Sequence, residues 1–454
     1  MSFLLLKNLC KALRGDVAVG DTWGFLGTTF QCSCGRIHRV RTRRILLGEN
    51  VLPRIPYVLQ ELNLRGKALV LCDETTYKVA GQEVIRILAH SSFSPILGLL
   101  RKDEHLPFLE PDEQARSQIG EYLFEQPDFL VAVGSGVIND LTKFVAYRAQ
   151  LPYVAVATAP SMDGYVSPGA PMLVGGYKVT YDAAPPLALF ADVAVLASAP
   201  SSLIQAGFAD LVGKITANAD WELRRVLFGE DFCDPLWKNT ASFLKDLVSC
   251  AEGIARQDKE AVSLLMRALI QSGLAMEMIG DSRPASGGEH LVAHYLEMMA
   301  LHRGLHPSLH GLRVGAATCI VWKLFQLFLQ EGKARRRRVS LDCPDWDILK
   351  VHFGPLFPFV KEEAQKKCSL QWPEINPDLI RKAVEEKLSL FNPLELLLRT
   401  GIPARFQDFG FPEKMVWDAF LWARFLRKRV TILDLLAHWG ILEELLEQAL
   451  REIG

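Results

Sequence analysis

The sequence predicts an N-terminal α/β domain built on a parallel sheet, followed by an all-helical domain. Three observations predict it. Between residues 39 and 199, short apolar runs rich in β-formers alternate with helical patterns, the mark of βα units on a parallel sheet. Beyond residue 200 only helical periodicity remains, in segments rich in Leu, Ala and Glu. The chain has 454 residues, and single cores stop growing near ~250–300 residues. The expected division is therefore an extension at 1–38, an α/β domain at 39–199 and a helical domain at 200–454.

Taken in order, the start Met1–Lys7 lacks a basic region before its apolar residues, so it is a poor signal peptide. Cys32, Cys34 and His38 offer two thiols and an imidazole at a spacing that could hold zinc. A fourth ligand is missing and CxC is less favourable than CxxC, so the segment is expected to lead into a strand. Strands are expected at Arg43–Leu47, Ala68–Cys72, Phe129–Val133, Tyr153–Ala157, Ala188–Phe190 and Val193–Leu196, with helices at Val51–Leu62 and Tyr77–Leu88. Further helices are expected at Phe243–Ile254, Lys259–Ile279, Gly288–Leu301, Leu312–Leu329, Asp378–Leu388, Lys414–Arg427 and Ile432–Glu452. Ser340–Glu374, rich in Pro and aromatics, fits no pattern.

Composition excludes several classes. A formal net charge of -1 gives no global pull toward nucleic acid or an anionic membrane, and the run Arg335–Arg338 reads as a solvated linker. Nine scattered cysteines form no disulfide framework and imply reduced thiols in a cytoplasmic protein. The nearest approach to a membrane span, Gly315 to Gln330, is short and interrupted by Lys323, so it reads as a buried helix.

Five of the ten histidines lie between His290 and His310. His290 and His294 are four apart and share a helix face; His310 follows a loop marked by Gly304 and Pro307. Such a hairpin could aim two imidazoles at one ion, and a catalytic cation needs a third ligand from elsewhere. Asp210, in a small, apolar stretch where an unpaired charge is costly, is the candidate; a helix cap also explains it.

The other motifs belong to the α/β part. In Leu130–Asp140 an apolar run passes into a helical pattern through Gly134, Ser135 and Gly136, a turn whose backbone amides can approach a phosphate. A third glycine is absent, and Asp73, a candidate for ribose hydroxyls or a helix cap, precedes the turn, so a standard Rossmann fingerprint does not fit. The loop Ala157–Ala170 concentrates Thr158, Ser161, Tyr165 and Ser167 around Asp163, and a loop after a parallel strand lies on the ligand-binding edge. Lys178 and Lys214 are further cations near it, or surface charges.

Together these segments resemble the bacterial members of the glycerol-1-phosphate dehydrogenase family, within the dehydroquinate synthase-like superfamily that includes metal-dependent alcohol dehydrogenases. The resemblance rests on GSGVIND at 134–140, TAPSMDGYVSPGAP at 158–171, AGFADLVGK at 206–214, SRPASGGEH at 282–290 and LHGLRVG at 309–315. It implies that Asp210, His290 and His310 bind zinc or nickel and that His294 and Asp163 contact substrate. It further implies NAD or NADP bound by Asp73, by Gly134, Ser135, Gly136, Val137, Ile138, Asn139 and Asp140, and by Thr158, Ala159, Pro160, Ser161 and Ser167. Arg283 is expected to hold a substrate phosphate. The implied reaction is hydride transfer between NAD(P)H and dihydroxyacetone phosphate, giving glycerol 1-phosphate for lipid synthesis; apolar helical surface in the second domain adds the expectation of a homodimer, and His302 and His306 are left as ordinary surface or core histidines. Rival readings are another polyol dehydrogenase, a cyclising enzyme like dehydroquinate synthase, and a non-catalytic dinucleotide-binding protein.

Overall fold

Strands whose residues are buried without alternation dominate the first half of the chain: Ala68–Cys72, Phe129–Gly134 and Ala188–Asp192 are buried throughout. Such runs suit a parallel sheet covered on both faces. The computed structural model describes residues 23–106, 108–330, 344–374 and 376–453; Met1–Lys7 and Arg335–Arg338 lie outside them. Chain contacts divide it into two compact units, one of 1–174, 178–211 and 238–282, the other of 175–177, 212–237 and 283–454. Among the described residues the last strand ends at Asp192, near the expected change of character at 199, but packing assigns residues 238–282 to the sheet's unit.

In the first unit, β1 (Thr29–Gln31) and β2 (Ile37–Arg39) form an antiparallel hairpin. Next come β3 (Arg44–Gly48), α1 (Ile55–Glu61), β4 (Gly66–Asp73), α2 (Gln82–Ala89), β5 (Phe93–Leu100), α3 (Glu113–Tyr122), β6 (Phe129–Gly134), α4 (Gly136–Ala149) and β7 (Tyr153–Ala157). A two-stranded sheet of β8 (Gly169–Val174) and β9 (Tyr177–Asp182) precedes β10 (Ala188–Asp192). The main sheet has the order β3-β10-β7-β6-β4-β5, every pair parallel. Its core packs Val70, Val131, Val133, Val156 and Phe190 against Ile55, Leu59, Val84 and Leu88 of the flanking helices.

The expected strand Val193–Leu196 is instead a helix, α5 (Val193–Ala197). Its β-branched residues suggest a strand, but the Asp192 carboxylate accepts the Ala194 N–H at 3.0 Å and caps a helix there. The unit is completed by α6 (Ser201–Val212), whose last residue belongs to the second unit, by most of α8 (Asp234–Ala255) and by α9 (Lys259–Ile279).

The second unit, apart from Tyr177, which opens β9, has only helices as regular elements among its described residues, joined by turns and loops. It holds α7 (Lys214–Phe228), α10 (Gly288–His302), α11 (His310–Gln330), α12 (Trp346–Phe353), α13 (Phe357–Cys368), α14 (Pro377–Leu388), α15 (Pro393–Arg399), α16 (Glu413–Trp422), α17 (Ile432–His438) and α18 (Leu442–Ile453). The unplaced stretch Ser340–Glu374 thus supplies α12 and α13. The single helix expected over Ile432–Glu452 is two, because Gly440 with φ +67° ends the first. Among the described residues two helices, Lys259–Ile279 and His310–Gln330, are long and apolar enough to cross a membrane, but their apolar windows are 83% and 78% buried, as in core helices.

Candidate active site

Three strand ends meet on the carboxyl edge of the sheet. The registers Leu71↔Ala132 and Gly134↔Ala157 set Asp73, the Gly134–Gly136 turn and Thr158 side by side on β4, β6 and β7. Gly134 is demanded by packing: a Cβ there would stand 2.5 Å from Cβ of Ile138. α4 begins at once, and its first N–H groups face this edge as a site for negative charge. Asp73 is a helix cap, since its Oδ1 accepts Thr76 N–H at 2.7 Å and the Thr76 hydroxyl at 3.0 Å.

The loop after β7 is fastened to this turn. Thr158 N–H donates to Gly134 O at 3.1 Å, and the buried Tyr165 hydroxyl donates to Ala159 O at 2.7 Å. Lys143 lies beneath, fully buried, its three N–H donors shared among Gly164 O at 2.7 Å, Gly169 O at 3.0 Å, Ser167 Oγ at 3.2 Å and Asp140 Oδ1 at 3.2 Å. Burial pushes its ammonium below the ordinary value, and the Asp140 carboxylate opposes that shift. Asp140 and Ser167 therefore brace the loop through a lysine that sequence reasoning passed over.

Asp163 accepts the Ser272 hydroxyl of α9 at 2.7 Å through Oδ2, and its N–H donates to Asp210 Oδ2 at 3.2 Å. Asp210 is 1% exposed on α6. One turn earlier the backbones touch: a Cβ on Gly207 would lie 1.8 Å from Pro160 O. Asp163 and Asp210 are thus held together at the foot of the loop.

The second unit gathers the imidazoles. Ring centroids of His290 and His310 are 5.4 Å apart, those of His294 and His310 5.3 Å, and those of His290 and His294 6.1 Å. Four-residue spacing aligns the first two on α10, and His310 opens α11. His302 and His306 are exposed outside the cluster.

Glu289, fully buried, orients His290. Its Oε1 accepts His290 Nδ1–H at 2.7 Å and Gly287 N–H at 2.6 Å, and its Oε2 accepts the Thr216 hydroxyl at 2.7 Å. Burial alone would raise this carboxyl, but the His290 hydrogen bond and charge, with the donors from Gly287 and Thr216, prevail and hold it below the usual range. With Nδ1 protonated toward Glu289, His290 presents Nε2 as an electron-pair donor, the arrangement that metal-binding imidazoles use. Asp220 supports the start of α10, accepting Gly288 N–H and Ile432 N–H, each at 2.7 Å. Burial, then the charge of Glu289, pushes Asp220 up to about 8.

Arg283 and Lys214 both have protein partners. Arg283 pairs with Glu230 at 3.3 Å. Lys214 is no surface charge: it is fully buried and donates to Ala285 O at 3.0 Å. Asp220 and Lys143 lie outside every motif, and Glu289, inside SRPASGGEH, is marked there only by its neighbour His290.

The profile of the iron-containing alcohol dehydrogenase family matches residues 46–200. A glycerol-1-phosphate dehydrogenase [NAD(P)+] of Bacillus licheniformis is 31% identical over 419 residues, covering 91% of this chain and 94% of the relative. One of Halalkalibacterium halodurans is 38% identical over 297 residues, covering 65% and 74%. Among solved structures, a probable glycerol dehydrogenase of Sinorhizobium meliloti superposes with a TM-score of 0.59 at 15% identity, covering 90% of this chain and 98% of that one. The last likeness concerns the fold alone.

Proposed function

The chain belongs to the glycerol-1-phosphate dehydrogenase family, and from that premise we propose that it interconverts dihydroxyacetone phosphate and glycerol 1-phosphate with NAD(P)H, Asp210, His290 and His310 holding one divalent cation, zinc or nickel. The observation that carries this reading is the trio of imidazoles with His290 oriented by buried Glu289. These donors fit a borderline cation such as zinc or nickel. When bound, such a cation supplies Lewis acidity at the substrate oxygen.

The remaining roles belong to the chain itself. The Gly134–Gly136 turn and the first N–H groups of α4 receive the pyrophosphate, and Val137, Ile138 and Asn139 continue that wall. Thr158, Ala159, Pro160 and Ser161 line the nicotinamide side of the loop, while Asp140 and Ser167 act through Lys143 by holding its shape. Asp73 contacts ribose hydroxyls; its charge repels a 2′-phosphate and favours NAD over NADP. Asp163 positions substrate from the loop, Arg283 takes the phosphate by exchanging its partner Glu230 for it, and His294 moves the proton that completes the alcohol. The protein acts in the cytoplasm as a homodimer, and its product feeds glycerolipid synthesis.

The test is a reductase assay on protein loaded with zinc or nickel in turn. Oxidation of NADH is expected with dihydroxyacetone phosphate and not with dihydroxyacetone, faster than oxidation of NADPH. In His294→Ala turnover should fall and the shape of the pH–rate profile should change. Equal rates on the unphosphorylated ketone would overturn the substrate assignment, and an unchanged pH profile the proton role. Light scattering at working concentration checks the dimer.

A further inference from the structure

The hairpin at the start of the described chain carries three metal-binding side chains that the dehydrogenase reaction does not use. Between β1 and β2 the chain turns tightly: Cys32 N–H donates to Arg36 O at 2.8 Å and Gly35 N–H to Cys32 O at 3.1 Å, with Gly35 at φ +88°. A left-handed residue closes the turn, and glycine adopts that conformation without steric cost. The turn gathers the ligand atoms of Cys32, Cys34 and His38, which all lie within 4.8 Å of one another.

Their geometry is that of a ligand set. Cys34 Sγ and His38 Nε2 stand 3.4 Å apart, whereas zinc bonds of ~2.3 Å to sulfur and ~2.0 Å to nitrogen at a tetrahedral angle place those atoms roughly 3.5 Å apart. The His38 ring is 1% exposed, and its Nδ1 lies 2.9 Å from Met278 O at the end of α9. A carbonyl only accepts, so Nδ1 carries the proton and Nε2 is the electron-pair donor facing Cys34. No disulfide joins the two thiols.

We infer that Cys32, Cys34 and His38 bind a structural zinc ion, distinct from the cation of the dehydrogenase site, that pins the hairpin to the carboxyl end of α9. Binding displaces the two thiol protons to solvent, involves no redox change and leaves a coordination position to complete the tetrahedron. The same helix end already holds the segment after β2, because Glu277 accepts Arg41 N–H and the Thr42 hydroxyl. The ion thus locks a hairpin of two three-residue strands, too small to be stable alone.

The experiment uses the full chain purified without chelator. Zinc content is measured for the wild type and for Cys34→Ser, Cys34→His and His310→Ala, and cobalt is exchanged into each. Wild type, Cys34→His and His310→Ala should each keep a zinc equivalent that Cys34→Ser lacks. Wild type and His310→Ala should also show thiolate-to-cobalt charge-transfer absorption that Cys34→Ser loses. The dehydrogenase donors include no thiolate, so this absorption reports the hairpin alone, and it survives even if the proposed reaction is wrong. If Cys34→Ser does not fold, chelator treatment of His310→Ala, whose dehydrogenase site lacks a ligand, should lower its Tm and abolish the charge-transfer absorption of its cobalt form, with zinc restoring the Tm. Equal zinc in wild type and Cys34→Ser, absence of charge-transfer absorption, or a Cys32–Cys34 disulfide in the purified protein overturns the inference.

Discussion

A single buried carboxylate, Glu289, sets the chemistry of the residue beside it. In the sequence it reads as an acidic residue in the first turn of a helix, where it would suit the dipole. Folding turns its side chain onto His290, Gly287 and Thr216. Glu289→Gln should therefore leave the fold intact and weaken cation binding at His290 by roughly 10–100-fold, read by titration calorimetry on metal-stripped protein. Undiminished affinity would mean that Glu289 only supports the helix. Lys143 makes the same point differently: three residues after Asp140, it resembles an exposed helical ion pair, yet it is fully buried beneath the loop that the sequence did mark. The histidines were legible because imidazoles rarely crowd by chance; their partners were not, because nothing local marks a carboxylate as buried.

At the level of elements, the glycine turn was readable because an apolar run and Gly-Ser-Gly occupy consecutive positions. β5 was not, since Pro95 and Gly98 interrupt its pattern; it lies at the sheet's edge, where proline is tolerated. The contact of α6 with the loop after β7 is similarly invisible in sequence. Because Gly207 leaves no room for a methyl group against Pro160 O, Gly207→Ala must displace backbone. A loss of about 1–3 kcal/mol in denaturant unfolding is expected, with a raised KM for the dinucleotide. An unchanged KM alongside the stability loss would show that the loop does not hold the cofactor.

For the molecule as a whole, one buried acid gives a stability that depends on pH. Glu277 is 7% exposed, and burial, against the hydrogen bonds from Arg41 and Thr42, raises its pKa from 4.5 to about 7. The folded chain then holds a proton that the unfolded chain has released, so the contribution is present below pH ~4.5 and is lost as pH rises through ~7. Between pH 5 and 8 the wild type should lose about 3 kcal/mol more stability than Glu277→Gln, measured by denaturant melts at each pH. Parallel slopes would place Glu277 in a wetter setting. Local pattern alone determined the parallel α/β sheet, its glycine turn, the helical second half and the histidine cluster, because period, turn chemistry and residue crowding are properties of neighbours in the chain. The assignment of 238–282 to the sheet's unit, the Glu289 and Lys143 contacts and the docking of the Cys32–His38 hairpin on α9 were decided by tertiary structure. Each depends on burial and on partners distant in sequence or unmarked by it, and burial determines both what a charge costs and which contacts must offset it.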